Sequence, residues 1–153
     1  MEQETLGKFS YVFASESNAT TRGALLECWG ERGLQADFCY ADATGRSAVG
    51  APHVHLWVLS PSCEAFSKRN HARSEGEQKV QLTDIWSSLE YARNQRPTVI
   101  VVENVCDVSV VGALTGLLTR MTGYSIRSGI LEPRTIAAAP VARDRHFWVM
   151  VRQ

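Results

Sequence analysis

Two chemically capable side chains each follow an apolar run that is typical of a buried strand. Residues 53–59 (HVHLWVL) lead through the turn Ser60-Pro61-Ser62 to Cys63, whose thiolate is a potential nucleophile. Residues 97–102 (PTVIVV) lead directly to Glu103, whose carboxylate accepts hydrogen bonds. Ligands bind at the carboxyl ends of strands in open α/β sheets, so parallel neighbouring strands would bring Cys63 and Glu103 to one site.

The elements that must position these residues alternate along the chain. A strand over 9–14 is closed by Glu16, a helix capped by Asn18 runs to about Gly30, and a strand over 37–41 is closed by Asp42. Further helices are predicted over 82–93 and 108–121, and further strands over 124–131 and 146–151. This alternation predicts an α/β fold with a mostly parallel sheet.

Helical spacing also predicts which side chains face the core. In the helix over 82–93 these are Leu82, Ile85, Trp86, Leu89 and Ala92, and in the helix over 108–121 they are Val108, Val111, Leu114, Leu118 and Met121.

Composition limits the function classes. Sixteen basic and sixteen acidic side chains cancel, so contact with nucleic acid must come from local clustering. The four cysteines show no CxxC spacing, so no zinc site is predicted. The sequence shows neither a signal peptide nor a long apolar span, and the expected compartment is therefore intracellular: the nucleus in a eukaryote, otherwise the cytoplasm.

Each candidate residue also has an ordinary structural interpretation. A lone cysteine such as Cys63 is often a small buried hydrophobe, and a glutamate such as Glu103 is often a helix cap or a surface charge. Glu16 and Asp42 can be turn residues at strand ends. The polar stretch over 68–77 can be a solvated surface loop.

Taken in order, the motifs resemble the DNA cytosine-5 methyltransferases. In that family a Pro-Cys loop carries the nucleophile and Glu-Asn-Val carries the carboxylate that holds the base, as SPSCEAFS at 60–67 and ENV at 103–105 are placed here. Residues 123–152 are similar to the family's closing segment, with Arg143 and Arg145 on its two arginines. Ser62 and Val141 stand where the family has Pro and Gln.

This resemblance implies a fold, a reaction and a set of roles. It implies a Rossmann-like, S-adenosylmethionine-dependent methyltransferase domain over 9–153. Residues 1–8 are polar and are expected to form a frayed N-terminus. Cys63 would attack C6 of a cytosine flipped out of DNA, which makes C5 nucleophilic enough to accept a methyl group. Glu103 would bind the base near N3, Arg145 would hold its O2 side, and Arg143 would support the geometry of Cys63 and Glu103.

The resemblance also implies a cofactor site. Glu16 would bind the ribose of S-adenosylmethionine and Asp42 would meet its adenine. The family's Gly-rich turn, which holds the methionine end, does not precede Phe9, and no target-recognition region follows Gln153. We therefore expect a partial domain that has weak cofactor affinity and little activity alone, and that depends on a complementary protein segment or chain.

Two other function classes remain open at this point. The first is a non-catalytic, truncated or split methyltransferase-like domain that needs a partner segment. The second is a cysteine hydrolase in which Cys63 is the nucleophile and a histidine is the base, although no recognisable nucleophile–base motif is present. The candidate bases are His53, His55, His71 and His146.

Overall fold

The computed structural model describes residues 9–35, 39–40, 50–61, 75–132 and 144–153, with backbone only for Cys39 and for residues 75–84. Among the predicted site residues, Glu16, Glu103 and Arg145 are described, whereas Asp42, Cys63 and Arg143 lie outside the described residues. The chain divides into two compact units, Met1–Pro52 and His53–Gln153.

The first unit contains a two-stranded parallel sheet and one helix. Strand β1 (Ala14–Ser15) pairs with β2 (Cys39–Tyr40), with Ala14 opposite Cys39. Residues 9–13 of the strand predicted over 9–14 are not in the ladder, which begins at Ala14, and of the strand predicted over 37–41 only residues 39 and 40 are described. Helix α1 (Ala19–Trp29) begins as predicted at Asn18, whose side chain accepts a hydrogen bond from the Thr21 amide at 3.0 Å.

A short 3₁₀ turn (Gly30–Arg32) ends the helical segment and folds it back on the preceding chain. The Tyr11 amide donates to the Arg32 carbonyl at 3.0 Å, and the Tyr11 ring stacks on Trp29 at 4.2 Å. Gly33 has a φ of 108°, and a Cβ there would lie 3.2 Å from the Tyr11 carbonyl oxygen. A larger residue at Gly33 would therefore be strained and would crowd the chain at Tyr11.

The second unit is a four-stranded sheet with two helices. Its elements are β3 (Leu56–Leu59), α2 (Glu75–Gln95), β4 (Val99–Val105), α3 (Val108–Leu118), β5 (Tyr124–Leu131) and β6 (Arg145–Arg152). The strand order is β3-β4-β6-β5. Since α2 begins at Glu75, the end of the predicted loop over 68–77 is helical instead.

The prediction of a mostly parallel sheet is wrong for this unit. Among the described strands of this unit only β3 and β4 pair in parallel, whereas β6 is antiparallel to both β4 and β5, so the sheet is mixed. The physical reason lies in the connections. A parallel neighbour needs a crossover of a dozen or more residues, usually a helix, and the sequence between β5 and β6 shows no helical pattern.

One face of the sheet is covered by both helices. The strand residues on this face include buried Trp57, Ile100, Val102, Trp148 and Met150. The Trp57 ring lies 5.3 Å from the ring of Tyr91 in α2, and the Trp148 indole N–H donates to the Thr115 hydroxyl of α3 at 3.0 Å. We call this the helix-covered face.

The predicted inward faces of the two helices are partly confirmed. In α2, Ile85, Leu89 and Ala92 are buried as predicted, but Trp86 is exposed and carries the Arg93 guanidinium over its ring. In α3, Leu114 and Leu118 are buried, whereas Val108 is 84% exposed. Val108 is the first residue of α3, so it lies beyond the part of the helix that packs on the sheet.

The opposite face of the sheet, which we call the second face, carries apolar side chains that remain accessible. They include Leu56 and Val58 of β3 and Val149 and Val151 of β6, and Val58 is 61% exposed. Register places Glu103 and Arg145 on this same face, because side chains alternate along each strand.

No helix among the described residues combines the length and apolar character that a membrane crossing requires. The same residues contain no group of three or more His, Cys, Asp or Glu side chains arranged to hold a metal ion.

Candidate active site

The sequence predicts that Glu103 follows a strand, but in the structure Glu103 lies inside strand β4. Strand β4 continues to Val105 because its ladder with β6 extends that far, with Glu103 opposite Phe147 and Val105 opposite Arg145. Exposure alternates along β4, and the Glu103 side chain is half-buried on the second face.

Strands β3 and β4 are parallel neighbours, as predicted, and their register brings the turn after β3 to Glu103. Leu59 pairs with Val102, so the next residue of each strand, Ser60 and Glu103, come level. The Ser60 hydroxyl donates a hydrogen bond to Glu103 Oε2 at 2.6 Å. This turn leads to Cys63, which itself lies outside the described residues.

The other carboxylate oxygen of Glu103 is bound by Arg145. The Arg145 Nε lies 2.6 Å from Glu103 Oε1, and each side chain is 22% exposed. Since Arg145 opposes Val105, it is the diagonal cross-strand neighbour of Glu103 on the same face. Charge-assisted hydrogen bonds of this kind are among the stronger ones in proteins, particularly when partly shielded from water.

Asn104 anchors the same turn from the helix-covered face. It is only 4% exposed, and its Nδ2 donates to the Pro61 carbonyl at 3.2 Å while its Oδ1 accepts from the Val105 amide at 2.8 Å. The turn after β3 is therefore tied to β4 from both faces of the sheet. Sequence reasoning included Asn104 only as part of ENV and did not single out Ser60. The register of parallel strands was the signal that could have identified Ser60.

Cys106 follows β4 directly, and its thiol is close enough to Glu103 and Arg145 for their charges to affect its pKa. Burial, and next the Asp144 carboxylate, raise the pKa of the Cys106 thiol; Glu103 adds to this effect, and the Arg145 guanidinium opposes it. The thiol therefore stays protonated at neutral pH, which makes Cys106 a poor nucleophile.

Three of the four candidate histidines are described, but Cys63 is not, so the hydrolase hypothesis stays a prediction. His146 lies opposite Asn104 on the helix-covered face, its ring centroid is 4.2 Å from that of Trp148, and its buried Nε2 has no hydrogen-bond partner among the described residues. His53 and His55 are both exposed and contact each other edge to face, with 5.4 Å between ring centroids. His71 lies outside the described residues.

In the first unit, Glu16 helps to start α1. Its Oε1 accepts from the Asn18 amide at 2.8 Å, and its backbone carbonyl accepts from the Arg22 guanidinium at 2.7 Å. These contacts support a turn and capping role at the carboxyl end of β1. A carboxylate has about four acceptor positions, so the same group can also accept hydrogen bonds from a ribose diol.

Comparison with known proteins shows similarity at the level of structure alone. No protein-family model matches the sequence, and no curated protein matches it. The chain superimposes on the Dnmt2 methyltransferase of S. pombe with a TM-score of 0.63 at 22% identity, covering 94% of this chain and 43% of that one.

Two further solved structures give the same result. An E. coli chain assigned as a DNA modification methyltransferase encoded within a prophage has a TM-score of 0.66 at 14% identity, with 93% of this chain and 40% of that one covered. The Spodoptera frugiperda DNMT2 has a TM-score of 0.57 at 18% identity, with coverages of 94% and 43%.

The class that these observations define is a methyltransferase fold. The resemblance to the DNA cytosine-5 methyltransferases is thus confirmed as a resemblance of fold that extends over nearly the whole chain. The chain spans less than half the length of these structures, which fits a partial domain.

Proposed function

We propose that this chain is a partial catalytic domain of the DNA (cytosine-5)-methyltransferase type, with a Rossmann-like, S-adenosylmethionine-dependent fold. Its reaction is methyl transfer to C5 of a cytosine flipped out of DNA. The observation that carries the proposal is the Glu103 carboxylate, which is bound by Arg145 and by Ser60 in the turn that leads to Cys63.

The proposed chemistry begins with Cys63. Its thiolate forms a bond to C6 of the base, and the electrons of the C5–C6 double bond make C5 nucleophilic. Glu103 binds the edge of the base that carries N3, where its carboxylate accepts a hydrogen bond from the exocyclic amino group. Arg145 orients Glu103 and holds the O2 side, where its guanidinium stabilises the negative charge that develops on the ring. Arg143 supports the placement of Cys63 and Glu103.

The cofactor site is proposed to use Glu16 and Asp42. Glu16 fits a ribose because its carboxylate stands at the carboxyl end of a parallel strand and keeps acceptor positions beyond those used by Asn18. Asp42 is proposed to meet the adenine. When bound, S-adenosylmethionine supplies the methyl group.

The experiment separates activation of the base from methyl transfer. With DNA that contains [5-³H]cytosine, addition of Cys63 at C6 lets C5 take a proton from water and lose its tritium, and elimination of the thiolate restores cytosine. Release of tritium without cofactor therefore reports attack alone. With 5-fluorocytosine DNA and S-adenosylmethionine, a covalent adduct detected by mass spectrometry reports attack followed by methyl transfer.

Matched variants identify the residues. Cys63→Ala should abolish tritium release, and Glu103→Gln should lower it about 100-fold or more, the loss typical when one preorganised hydrogen-bonding group is removed from a transition state. Cys28→Ala and Glu90→Gln, which change exposed residues of α1 and α2, serve as controls and should leave release unchanged. Release by Cys63→Ala at the wild-type rate would contradict the proposed nucleophile.

The second candidate function is a non-catalytic domain that needs a complementary protein segment or chain. The accessible apolar side chains of the second face favour it, because a contiguous exposed apolar patch marks a site of contact with another protein segment. Sedimentation equilibrium tests this alternative. The alternative would be supported if the chain self-associates, or forms a defined complex with an added methyltransferase fragment, and if Val58→Lys abolishes that association. A monomer that is active in tritium release would exclude it.

A further inference from the structure

We propose that Ser60 is a positioning residue for Glu103: its hydroxyl fixes one carboxylate oxygen, so that the remaining acceptor positions are presented to the base. This inference rests on the proposed function and adds to it a residue that the motifs did not single out.

The Ser60 hydroxyl is the donor in its contact with Glu103. An ionised carboxylate only accepts, so the 2.6 Å contact between Ser60 Oγ and Glu103 Oε2 is a donation from the serine. Arg145 Nε donates to Oε1 at 2.6 Å from the opposite neighbouring strand. Donors on both sides of β4 thus hold both oxygens, which restricts rotation of the carboxylate about its last torsion.

The position of Ser60 is itself fixed by the fold. Pro61 biases Ser60 towards an extended conformation, and the Pro61 carbonyl accepts from the Asn104 side chain at 3.2 Å. Ser60 donates to Glu103 on one face of the sheet, and Asn104 donates to the Pro61 carbonyl on the other. The backbone at Ser60 therefore cannot move away from β4 without also disturbing the Asn104 contact. The same turn leads three residues later to Cys63.

The competing interpretation is an ordinary surface hydrogen bond. Ser60 is exposed, and water could replace its hydroxyl at little cost. That interpretation predicts no effect on the reaction when the hydroxyl is removed. A positioning role predicts a lower turnover with little change in DNA affinity, because the group acts only through the orientation of Glu103.

The first measurement asks whether the two side chains interact in the folded chain, and it does not depend on activity. Ser60→Ala should lower the urea midpoint of the wild-type chain but leave that of Glu103→Ala unchanged, since the partner is then already absent. An equal shift in both backgrounds would show that the hydroxyl does not act through Glu103, and this would overturn the proposal.

The second measurement asks whether the interaction matters for chemistry. In tritium release from [5-³H]cytosine DNA, Ser60→Ala should lower kcat about 10- to 100-fold, as expected for one hydrogen bond to a charged group, with KM nearly unchanged. Ser60→Thr keeps the hydroxyl and should restore most of the rate. Ser125→Ala is the control, because its exposed hydroxyl donates to the Val151 carbonyl at 3.3 Å on the adjacent strand.

The outcomes separate this proposal from the proposed function. If the wild-type chain releases tritium and Ser60→Ala releases it equally fast, the positioning role is wrong and the function stands. A different result is that the wild-type chain releases no tritium, while Ser60→Ala still lowers the urea midpoint of the wild-type chain and not that of Glu103→Ala. In that case the contact between Ser60 and Glu103 is real, but the proposed function fails, and the role of Ser60 in that reaction fails with it.

Discussion

Arg145 and Glu103 are joined across β6 and β4 by an ion pair of 2.6 Å in which each side chain is 22% exposed. The pair is diagonal on the second face, since Glu103 opposes Phe147 and Arg145 opposes Val105. It therefore links the closing strand of the sheet to the strand that presents the proposed base-binding carboxylate. Its partial shielding from water makes it more sensitive to substitution than a fully exposed pair.

Removing the guanidinium should destabilise the fold. Arg145→Ala leaves a half-buried carboxylate without its cation, and we expect a loss of about 1–3 kcal/mol in the free energy of unfolding measured with urea. Arg127→Ala, at an exposed arginine of β5 on the same face, is the control and should change stability by about 0.5 kcal/mol or less. Equal losses in both variants would show that the ion pair contributes nothing specific.

The contact between Trp148 and Thr115 should be a second determinant of stability. Thr115→Val keeps the shape of the side chain but removes the acceptor of a fully buried indole N–H, at a cost of about 1–3 kcal/mol. Thr119→Val removes an exposed hydroxyl that donates to carbonyls of its own helix and should cost less. Thermal unfolding of both variants measures the difference, and a larger loss in Thr119→Val would contradict it.

The Cys106 thiol should make stability depend on pH in the alkaline range. Burial and the Asp144 carboxylate raise its pKa in the folded chain, so the folded state holds the proton more tightly than the unfolded state. The stabilisation is fully present below the unfolded pKa and is lost as pH rises through the folded pKa. Peptide-resolved alkylation should give a higher midpoint for native Cys106 than for the same residue in urea, and coincident midpoints would count against the shift.

Glu16 should contribute to cofactor binding beyond its part in starting α1. Glu16→Ala should weaken S-adenosylhomocysteine binding about 10-fold, the loss expected for one hydrogen bond to a charged group. Asn18→Ala removes the capping side chain and should cost about 1 kcal/mol of stability while it largely preserves binding. Titration followed by NMR at millimolar ligand measures both, and equal loss of binding would limit Glu16 to a structural role.

The local patterns predicted the elements of the second unit better than their arrangement. The alternating run over 124–131 forms β5 with the bounds predicted, and the strands before Cys63 and through Glu103 are parallel neighbours. The antiparallel placement of β6 between β4 and β5 was missed, because hydrophobic periodicity reports which face of an element is buried and carries no information on strand direction.

The candidate site was predictable in its residue types and not in its contacts. ENV and the paired arginines pointed to Glu103 and Arg145, which the structure brings together. Helical periodicity predicts that Trp86 and Val108 face the core, but both are exposed. Periodicity includes positions at a helix end and beside the buried stripe, whereas only side chains that lie against the sheet become buried. The roles of Ser60 and Asn104 depend on strand register, which no spacing within one segment can reveal.

The position of β6 between β4 and β5 affects how the second unit folds during its synthesis on the ribosome. In the described sheet, strands β4 and β5 have no ladder with each other and are joined through β6, which follows both in the chain. Until residues 145–152 emerge, β3 and β4 can form a parallel pair, but the other edge of β4 and all of β5 lack partners and are open to wrong associations. Because Arg145 arrives with that same strand, Glu103 acquires its cation in the step that closes the sheet.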